Sequence, residues 1–120
     1  MGWLKQLFRR NKFYYSDGTT SDTYSVMKIL YRLDSPAVEY GNGDRLWYQN
    51  NLLHRTDGPA VELANGTKAW YQNGLRHRTD GPAAEYPSGN KQYWINGVHL
   101  EQLDNMDIPA ERLEKILVLL

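Results

Sequence analysis

The chain has no cysteine, no long apolar run and no net charge. The absence of cysteine from 120 residues excludes disulfide frameworks, thiolate zinc sites and cysteine nucleophiles, and it favours a reducing compartment. Because 14 basic side chains balance 14 acidic ones, the composition indicates neither a nucleic-acid-binding field nor an acidic mimic of nucleic acid. No apolar run approaches the length of a membrane span. We therefore expect a cytoplasmic protein that contacts neither nucleic acid nor membrane.

The chain does contain one segment in three tandem copies. They occupy residues 32–54, 55–77 and 78–100, with a constant period of 23 residues, and each begins with the pattern Arg-x-Asp-x-Pro-Ala. A fixed period of this length predicts units that cannot bury a core alone and that stack on their neighbours. The chain length fits a single domain. Residues 1–31 then form an amino-terminal helix and a partial capping hairpin, and residues 101–120 form a capping helix.

Each repeat carries two turn signals. In the central copy they are Asn65-Gly66 and Asn73-Gly74, dipeptides that suit the positive φ angles of tight hairpin turns. The segments between them are rich in β-branched and aromatic residues of mixed polarity, which is typical of strands in a partly exposed sheet. The sequence therefore predicts a mainly β fold, in which antiparallel hairpin repeats form an elongated twisted sheet with short helices at both ends.

Two-residue turns would set the register of both hairpins. They would place Val61 opposite Trp70, and Trp70 opposite His77, on one face of the sheet. The other face would carry Tyr71 and Arg76. Each face then has its own aromatic column, and we expect the tryptophan column to pack inward.

The chain ends carry weaker signals. Hydrophobic residues at helical spacing predict an amphipathic helix over residues 2–10. YYSDGT at residues 14–19 looks like a degenerate copy of the WYxNG hairpin, and residues 26–31 are expected to form a strand. Asp107 is expected to cap a helix with Pro109 in its first turn. The apolar stripe of that helix should cover one end or face of the sheet and blunt its edge. The stripe consists of Leu113, Ile116, Leu117 and Leu120.

Repeated histidines and aspartates are the candidates for metal binding or acid–base chemistry. They are His54, Asp57, His77 and Asp80. An active site needs unlike groups that converge asymmetrically, whereas the array offers near-identical ones. We therefore interpret these residues as framework: each aspartate fixes a turn, each neighbouring arginine pairs with a glutamate, and each histidine packs against a tryptophan. The prediction is a protein without enzymatic activity, bound metal or cofactor.

The second aromatic column is the candidate surface for a protein partner. It consists of Tyr48, Tyr71 and Trp94, with Arg76 and Leu53 beside them. Aromatic residues with arginine are favoured at interface hot spots, and the small Ala37, Ala60 and Ala83 beside the column would leave room for a groove. Three alternatives stay open: a protein that sequesters a small ligand or nucleotide, a peripheral membrane module, and a metal-dependent hydrolase. A homodimer through the terminal helix or a sheet edge also stays open.

The phrase WYQNGLRHRTDGPAAEY, together with RTDGPAVELANG, resembles the WYxNGxxHRxDGPAxE repeats of bacteriophage, giant-virus and bacterial proteins. Its period and glycine-turned hairpins are similar to MORN-type repeats. The resemblance covers residues 32–100, and the third copy departs from it at Leu100 and Glu101, which looks like the end of the stack. The resemblance implies a protein-binding scaffold, with lipid association in some MORN arrays. It also implies a phage accessory protein that inhibits a host factor or defence component in the host cytoplasm.

Overall fold

The computed structural model describes residues 10–120, which form fourteen short β-strands, a 3-10 helix and an α-helix. The strands are β1 (Lys12–Tyr14), β2 (Thr20–Ser21), β3 (Val38–Glu39), β4 (Arg45–Leu46), β5 (Tyr48–Gln49), β6 (Leu52–Leu53), β7 (Val61–Glu62), β8 (Lys68–Ala69), β9 (Tyr71–Gln72), β10 (Leu75–Arg76), β11 (Ala84–Glu85), β12 (Lys91–Gln92), β13 (Trp94–Ile95) and β14 (Val98–His99). The 3-10 helix spans Glu101–Leu103 and α1 spans Ala110–Val118. The helix predicted over residues 2–10 falls almost entirely outside the described residues.

The strands assemble into one long sheet with small hairpins at its side. The long sheet has eight antiparallel strands in the order β2-β1-β3-β4-β7-β8-β11-β12. The second hairpin of each repeat forms a separate two-stranded sheet: β5 with β6, β9 with β10, and β13 with β14. Each repeat thus lengthens the sheet by two strands, and the molecule measures 54 × 32 × 20 Å. The prediction of a mainly β, elongated hairpin array with a carboxy-terminal helix is confirmed.

The first hairpin of each repeat differs from its predicted register by one residue. Val61 lies opposite Ala69, so the prediction that it faces Trp70 is wrong. The turn contains three residues, and it ends on Gly66 with a φ of 96°. A three-residue turn with glycine in the left-handed region is a common hairpin connection, and it carries the same Asn-Gly signal as a two-residue turn.

The second hairpin has the predicted register. Asn73 has a φ of 51° and the following glycine 79°, as a two-residue type I′ turn requires. Tyr71 lies opposite Arg76. The His77 backbone N–H donates to the Trp70 carbonyl at 2.9 Å, which confirms that these two residues pair.

Alanines fill the core where neighbouring repeats meet. Ala37, Ala60 and Ala83 are each 0% exposed. The backbone N–H of Trp47 donates to the Ala60 carbonyl at 2.8 Å, and that of Trp70 donates to the Ala83 carbonyl at 2.8 Å. These bonds draw the units close together, so the position accepts only a small side chain. The prediction that the alanines leave room for a groove is therefore wrong.

The amino-terminal unit is a modified repeat. The hairpin predicted at residues 14–19 is confirmed. Tyr14 occupies the position that tryptophan has in the repeats, since its N–H donates to the Ala37 carbonyl at 2.8 Å, as the Trp47 N–H does to the Ala60 carbonyl. The strand predicted over residues 26–31 is wrong. Because β1 already pairs with β2 and β3, that segment forms only an isolated bridge between Tyr15 and Leu30.

The carboxy-terminal helix is confirmed, but its predicted cap is wrong. The residue before its first turn is Pro109, which makes no side-chain capping bond. Asp107 instead pairs with the Lys91 ammonium, and this hydrogen bond raises the pKa of Lys91. Of the apolar stripe, Leu113 is 1% exposed whereas Leu120 is 75% exposed, so the helix packs through its first two turns.

The free edge of the long sheet is covered by a loop residue. The Asn105 backbone N–H donates to the Lys91 carbonyl at 2.9 Å, and its side-chain oxygen accepts from the Lys91 N–H at 2.8 Å. Asn105 thus pairs with the edge strand β12 and covers it. The sequence analysis predicted that the carboxy-terminal helix would cover this edge. Within residues 10–120, no helix combines the length and the apolar character that crossing a bilayer requires.

Candidate functional site

One arginine in each repeat holds two units together. The Arg78 guanidinium carbon lies 4.0 Å from the centre of the Trp70 ring of the preceding unit. Its Nη1 donates to the Pro82 carbonyl at 3.0 Å, and its Nε donates to Asp80 at 2.7 Å. Arg55 makes the same three kinds of contact one unit earlier. Both arginines also pair with a glutamate, as predicted, so this set of charges is neutralised within the framework.

The glycine of the Asp-Gly-Pro loop makes room for this arginine. A Cβ added to Gly81 would lie 2.7 Å from the guanidinium carbon of Arg78, and one added to Gly58 would meet its own unit's arginine at 2.8 Å. In the first repeat Ser35 occupies the glycine position. There Asp34 adopts a φ of 59°, so the loop takes a different path. The repeated Asp-Gly-Pro sequence therefore follows from packing.

The histidines bind the backbone of the next unit. The Nδ1 of His54 accepts a hydrogen bond from the Asn73 N–H at 3.0 Å, and the Nδ1 of His77 accepts one from the Asn96 N–H at 3.0 Å. Each bond fixes the start of the next type I′ turn. An accepting Nδ1 requires the proton of a neutral ring to sit on Nε2. These contacts support the framework interpretation of the histidines.

A polar cleft of about 460 Å³ lies between the Asp-Gly-Pro loops of the second and third repeats. Three of the four candidate metal ligands line it, namely Asp57, His77 and Asp80, whereas His54 does not. Both aspartates are paired with arginines. In the part of the chain that the structure describes, no three His, Cys, Asp or Glu side chains are arranged to hold a metal ion. The cleft thus brings Asp57, His77 and Asp80 together, with both aspartates neutralised by arginines.

The histidine contact gives a first testable prediction. His77→Ala should lower the free energy of unfolding by about 1 kcal/mol, because the Asn96 N–H loses its protein acceptor at a site open to water. The measurement is urea unfolding, with the zinc and manganese content of the wild type and the variant determined after dialysis. A wild type that keeps stoichiometric metal, lost in His77→Ala, would contradict the framework interpretation.

Together with His99, the five predicted binding residues form a strip along the second hairpins, which we term the aromatic ladder. It comprises Tyr48, Leu53, Tyr71, Arg76, Trp94 and His99. Its members pair across each hairpin, one pair in each repeat, and all are half-buried. The ladder therefore presents part of each of these side chains to solvent along the stack.

Arg76 is the central member of the aromatic ladder. Its guanidinium carbon lies 5.3 Å from the centre of the Tyr71 ring and 5.0 Å from that of Trp94 in the next unit. Its Nη2 donates to the Tyr71 hydroxyl at 2.8 Å. Its Nε is buried and has no hydrogen-bond partner. The side chain thus joins the second and third repeats, and its position is fixed on both sides.

His99 ends the aromatic ladder and was not among the predicted site residues. Its ring stacks on Trp94 with 4.6 Å between centres and 9° between planes, and its Nε2 lies 2.8 Å from an Asp104 oxygen. His99 stands one period after Arg76, so the repeat alignment contained the signal that could have found it.

At its other end the aromatic ladder meets a second opening, which we term the tyrosine cleft. It has a volume of about 420 Å³ and is lined by Phe13, Tyr24, Leu30, Val38, Tyr40, Tyr48 and Asn51. Burial raises the pKa of the Tyr48 hydroxyl, and the neighbouring Tyr40 and Tyr24 add to the shift. Tyr24 lies outside the repeats, so periodicity gave no signal for it.

The fold and these surfaces define a class of protein, a stack of β-hairpin repeats. The residues that recur at the repeat period hold neighbouring units together, and aromatic side chains line one strip of the surface. Comparison with family models, with curated proteins and with solved structures finds no match to this chain.

Proposed function

We propose that the protein is a non-catalytic protein-binding module and that the aromatic ladder is its contact surface. The observation that carries this proposal is the continuous contact from Tyr71 through Arg76 to Trp94 across two repeats. Tyrosine, tryptophan and arginine are the residues most enriched at interface hot spots. A half-buried strip of these residues offers a partner aromatic surface and a fixed cation.

The rigidity of the hairpins supports this assignment. The Gly74 N–H donates to the Leu53 carbonyl at 2.8 Å, and the Gly97 N–H donates to the Arg76 carbonyl at 2.9 Å. Each hairpin is therefore tied through its turn to the preceding one. A surface held in place before binding loses less conformational entropy when the partner docks, which favours affinity.

The polar groups that could have served catalysis are engaged in structure. Asp57 and Asp80 pair with arginines, and the Nδ1 atoms of His54 and His77 accept backbone hydrogen bonds. Near-identical pairs at the unit period do not supply the unlike acid, base and nucleophile that a reaction needs. We therefore propose binding without catalysis or cofactor.

The biological setting is proposed from the resemblance to viral and bacterial hairpin repeats. In this proposal the chain is a MORN-like phage accessory protein that acts in the host cytoplasm. Its partner is a host protein, such as a component of a defence system, whose activity the binding inhibits. The bacterial host is accordingly the source of lysate for the experiment.

The test is affinity capture from a host lysate, quantified by mass spectrometry. Tyr71→Ala and Trp94→Ala should each lower the recovery of the partner at least about tenfold, since loss of a hot-spot residue costs about 2 kcal/mol or more. Tyr86→Ala is the control, because Tyr86 is a half-buried tyrosine outside the aromatic ladder. All variants are first compared by thermal unfolding. Unchanged recovery with both ladder variants would show that the contact surface lies elsewhere.

Two further measurements separate the alternatives. Calorimetry with free nucleotides detects a sequestering protein, and liposome flotation detects a peripheral membrane module. Tight nucleotide binding that Trp94→Ala abolishes would replace the protein-binding proposal. Flotation with anionic vesicles in the absence of any captured protein would do the same.

A further inference from the structure

Cations stacked on aromatic rings are a recurrent feature of this fold. Residues 10–120 contain eight contacts in which a lysine or arginine lies between 3.8 and 5.8 Å from the centre of a tyrosine or tryptophan ring. The rings that receive a lysine or arginine are Tyr14, Tyr15, Trp47, Trp70, Tyr71 and Trp94. Six aromatic rings of the described residues therefore have a cationic side chain close to them.

The tyrosine cleft assembles four rings around one space. Phe13 is a buried member of the lining, with its ring centre 5.9 Å from that of Tyr24 and 6.0 Å from that of Tyr40. The planes of Phe13 and Tyr40 are nearly perpendicular at 89°, and those of Phe13 and Tyr24 meet at 49°. Tyr48 completes the lining. Rings at such angles form the walls of a cage and not a flat stack.

The rims of this cage are open to solvent. Tyr24 is 52% exposed and Tyr40 is 38% exposed, while Val38 beneath them is buried. None of the eight cation contacts in the described part of the chain involves these rings, and no lining residue is charged. Within residues 10–120, four aromatic rings thus line the tyrosine cleft without a lysine or arginine over them.

The chemistry of the lining selects one kind of cation. The faces of aromatic rings carry negative partial charge and attract cations. A bare ammonium group is strongly hydrated, and the cleft lining holds no carboxylate to replace its water. An alkylated ammonium keeps its charge, has fewer or no N–H donors to satisfy, and presents methyl groups to the rings. From this geometry we propose that the tyrosine cleft binds an alkylated ammonium group, a ligand class that goes beyond the proposed binding of a protein through the aromatic ladder.

The size and polarity of the cleft agree with this ligand. Its volume of about 420 Å³ lies within the range of small-molecule sites, roughly 300–1,000 Å³. Asn51 is held at the lining by its oxygen, which accepts the Leu30 N–H at 2.7 Å, so its amide N–H groups are free to face a polar substituent of the ligand. The Tyr48 phenol is neutral at physiological pH at its ordinary pKa of about 10, and burial raises that pKa further.

The decisive experiment compares a cation with its neutral isostere. Choline and 3,3-dimethylbutan-1-ol have the same shape, and only choline is charged. Titration of each into the full chain, followed by protein NMR, should show choline binding at least about fivefold more tightly, since only the cation is attracted by the negative faces of the rings. Equal affinities, or no binding of choline, would overturn the proposal, because the cleft would then lack selectivity for charge.

Variants locate the binding in the cleft. Tyr24→Ala and Tyr40→Ala should each weaken choline binding about threefold to tenfold, whereas Tyr40→Phe, which keeps the ring, should not. Tyr86→Ala is the matched control outside the cleft. Nuclear Overhauser contacts from the choline methyl protons to the ring protons of Tyr24 and Tyr40 in the wild type provide a readout that does not depend on the variants. Contacts to other rings, or unchanged affinity in both alanine variants, would refute the assignment.

The ligand could come from a free small molecule or from a methylated lysine of a partner. A peptide that carries trimethyllysine and the same peptide with unmodified lysine distinguish these sources. Tighter binding of the trimethylated peptide than of choline indicates a protein side chain, and equal binding indicates a free quaternary amine. Because choline binding is measured without a partner, its failure leaves the aromatic-ladder proposal intact, and the reverse also holds.

Discussion

Replacement of Arg78 by alanine should lower the free energy of unfolding by about 2–4 kcal/mol, because a charge-assisted hydrogen bond and a partly desolvated cation–ring contact are lost together. The Arg78 side chain is only 22% exposed, stacks on Trp70 and donates to the Pro82 carbonyl. The truncation also leaves that carbonyl without its donor. Urea unfolding followed by tryptophan fluorescence and circular dichroism measures the change.

Arg45→Ala is the matched control for Arg78→Ala. The Arg45 side chain is 53% exposed, against 22% for Arg78, and it pairs at 2.7 Å with Glu62. Its guanidinium carbon lies 5.8 Å from the centre of the Trp47 ring, farther than the 4.0 Å between Arg78 and Trp70. Exposed ion pairs contribute about 0–1 kcal/mol, so this variant should remain close to the wild type. If the two variants lose the same stability, the arginine of the Asp-Gly-Pro loop is not the contact that couples neighbouring repeats.

A larger effect at Arg78 would also explain the sequence pattern. In a stack of short units most of the stability resides in the interfaces between neighbours. Arg78, the glycine that makes room for it and the His77 bond to Asn96 all act across or beside such an interface. Repetition at the unit period is therefore the signature of the framework. Specific recognition is expected where the copies differ, as at Arg76 and at Tyr24.

The parts of the fold that depend on local turn residues were predictable from the sequence. Asn73-Gly74 predicted its two-residue turn and the correct pairing of Tyr71 with Arg76, because both turn residues need positive φ. Asn65-Gly66 carries the same signal, yet it ends a three-residue turn. The dipeptide alone does not distinguish a two-residue turn from a three-residue turn, so the predicted register of the first hairpin was wrong by one residue.

Predictions that depended on distant partners were less successful. Asp107 fits the composition of a helix cap, but the Lys91 ammonium of the edge strand pairs with it instead. The aromatic ladder was predicted from its repeated positions, and the structure brings Tyr71, Arg76 and Trp94 into contact. The tyrosine cleft was not predicted, because its walls come from segments that only the folded chain brings together.

Leu113→Ala should be the second strongly destabilising change, with a loss of about 2–4 kcal/mol, as truncation of a buried leucine leaves a cavity. Leu113 is the one buried residue of α1. The segment before the helix is bonded to the sheet, since the Tyr93 hydroxyl donates to the Met106 carbonyl at 2.7 Å. Helix and sheet are therefore expected to unfold in one transition, which circular dichroism and tryptophan fluorescence should report at the same urea concentration.

Leu119→Ala provides the comparison for Leu113→Ala, since it removes the same atoms from the residue that follows α1. Leu119 is 87% exposed, so its truncation should change the stability by less than about 0.5 kcal/mol. A loss at Leu113 no larger than at Leu119 would mean that α1 contributes nothing to the stack. Loss of helical signal in Leu113→Ala at a urea concentration that leaves the tryptophan signal native would instead show that the helix unfolds separately from the sheet, contrary to the bonds made by Tyr93 and Asn105.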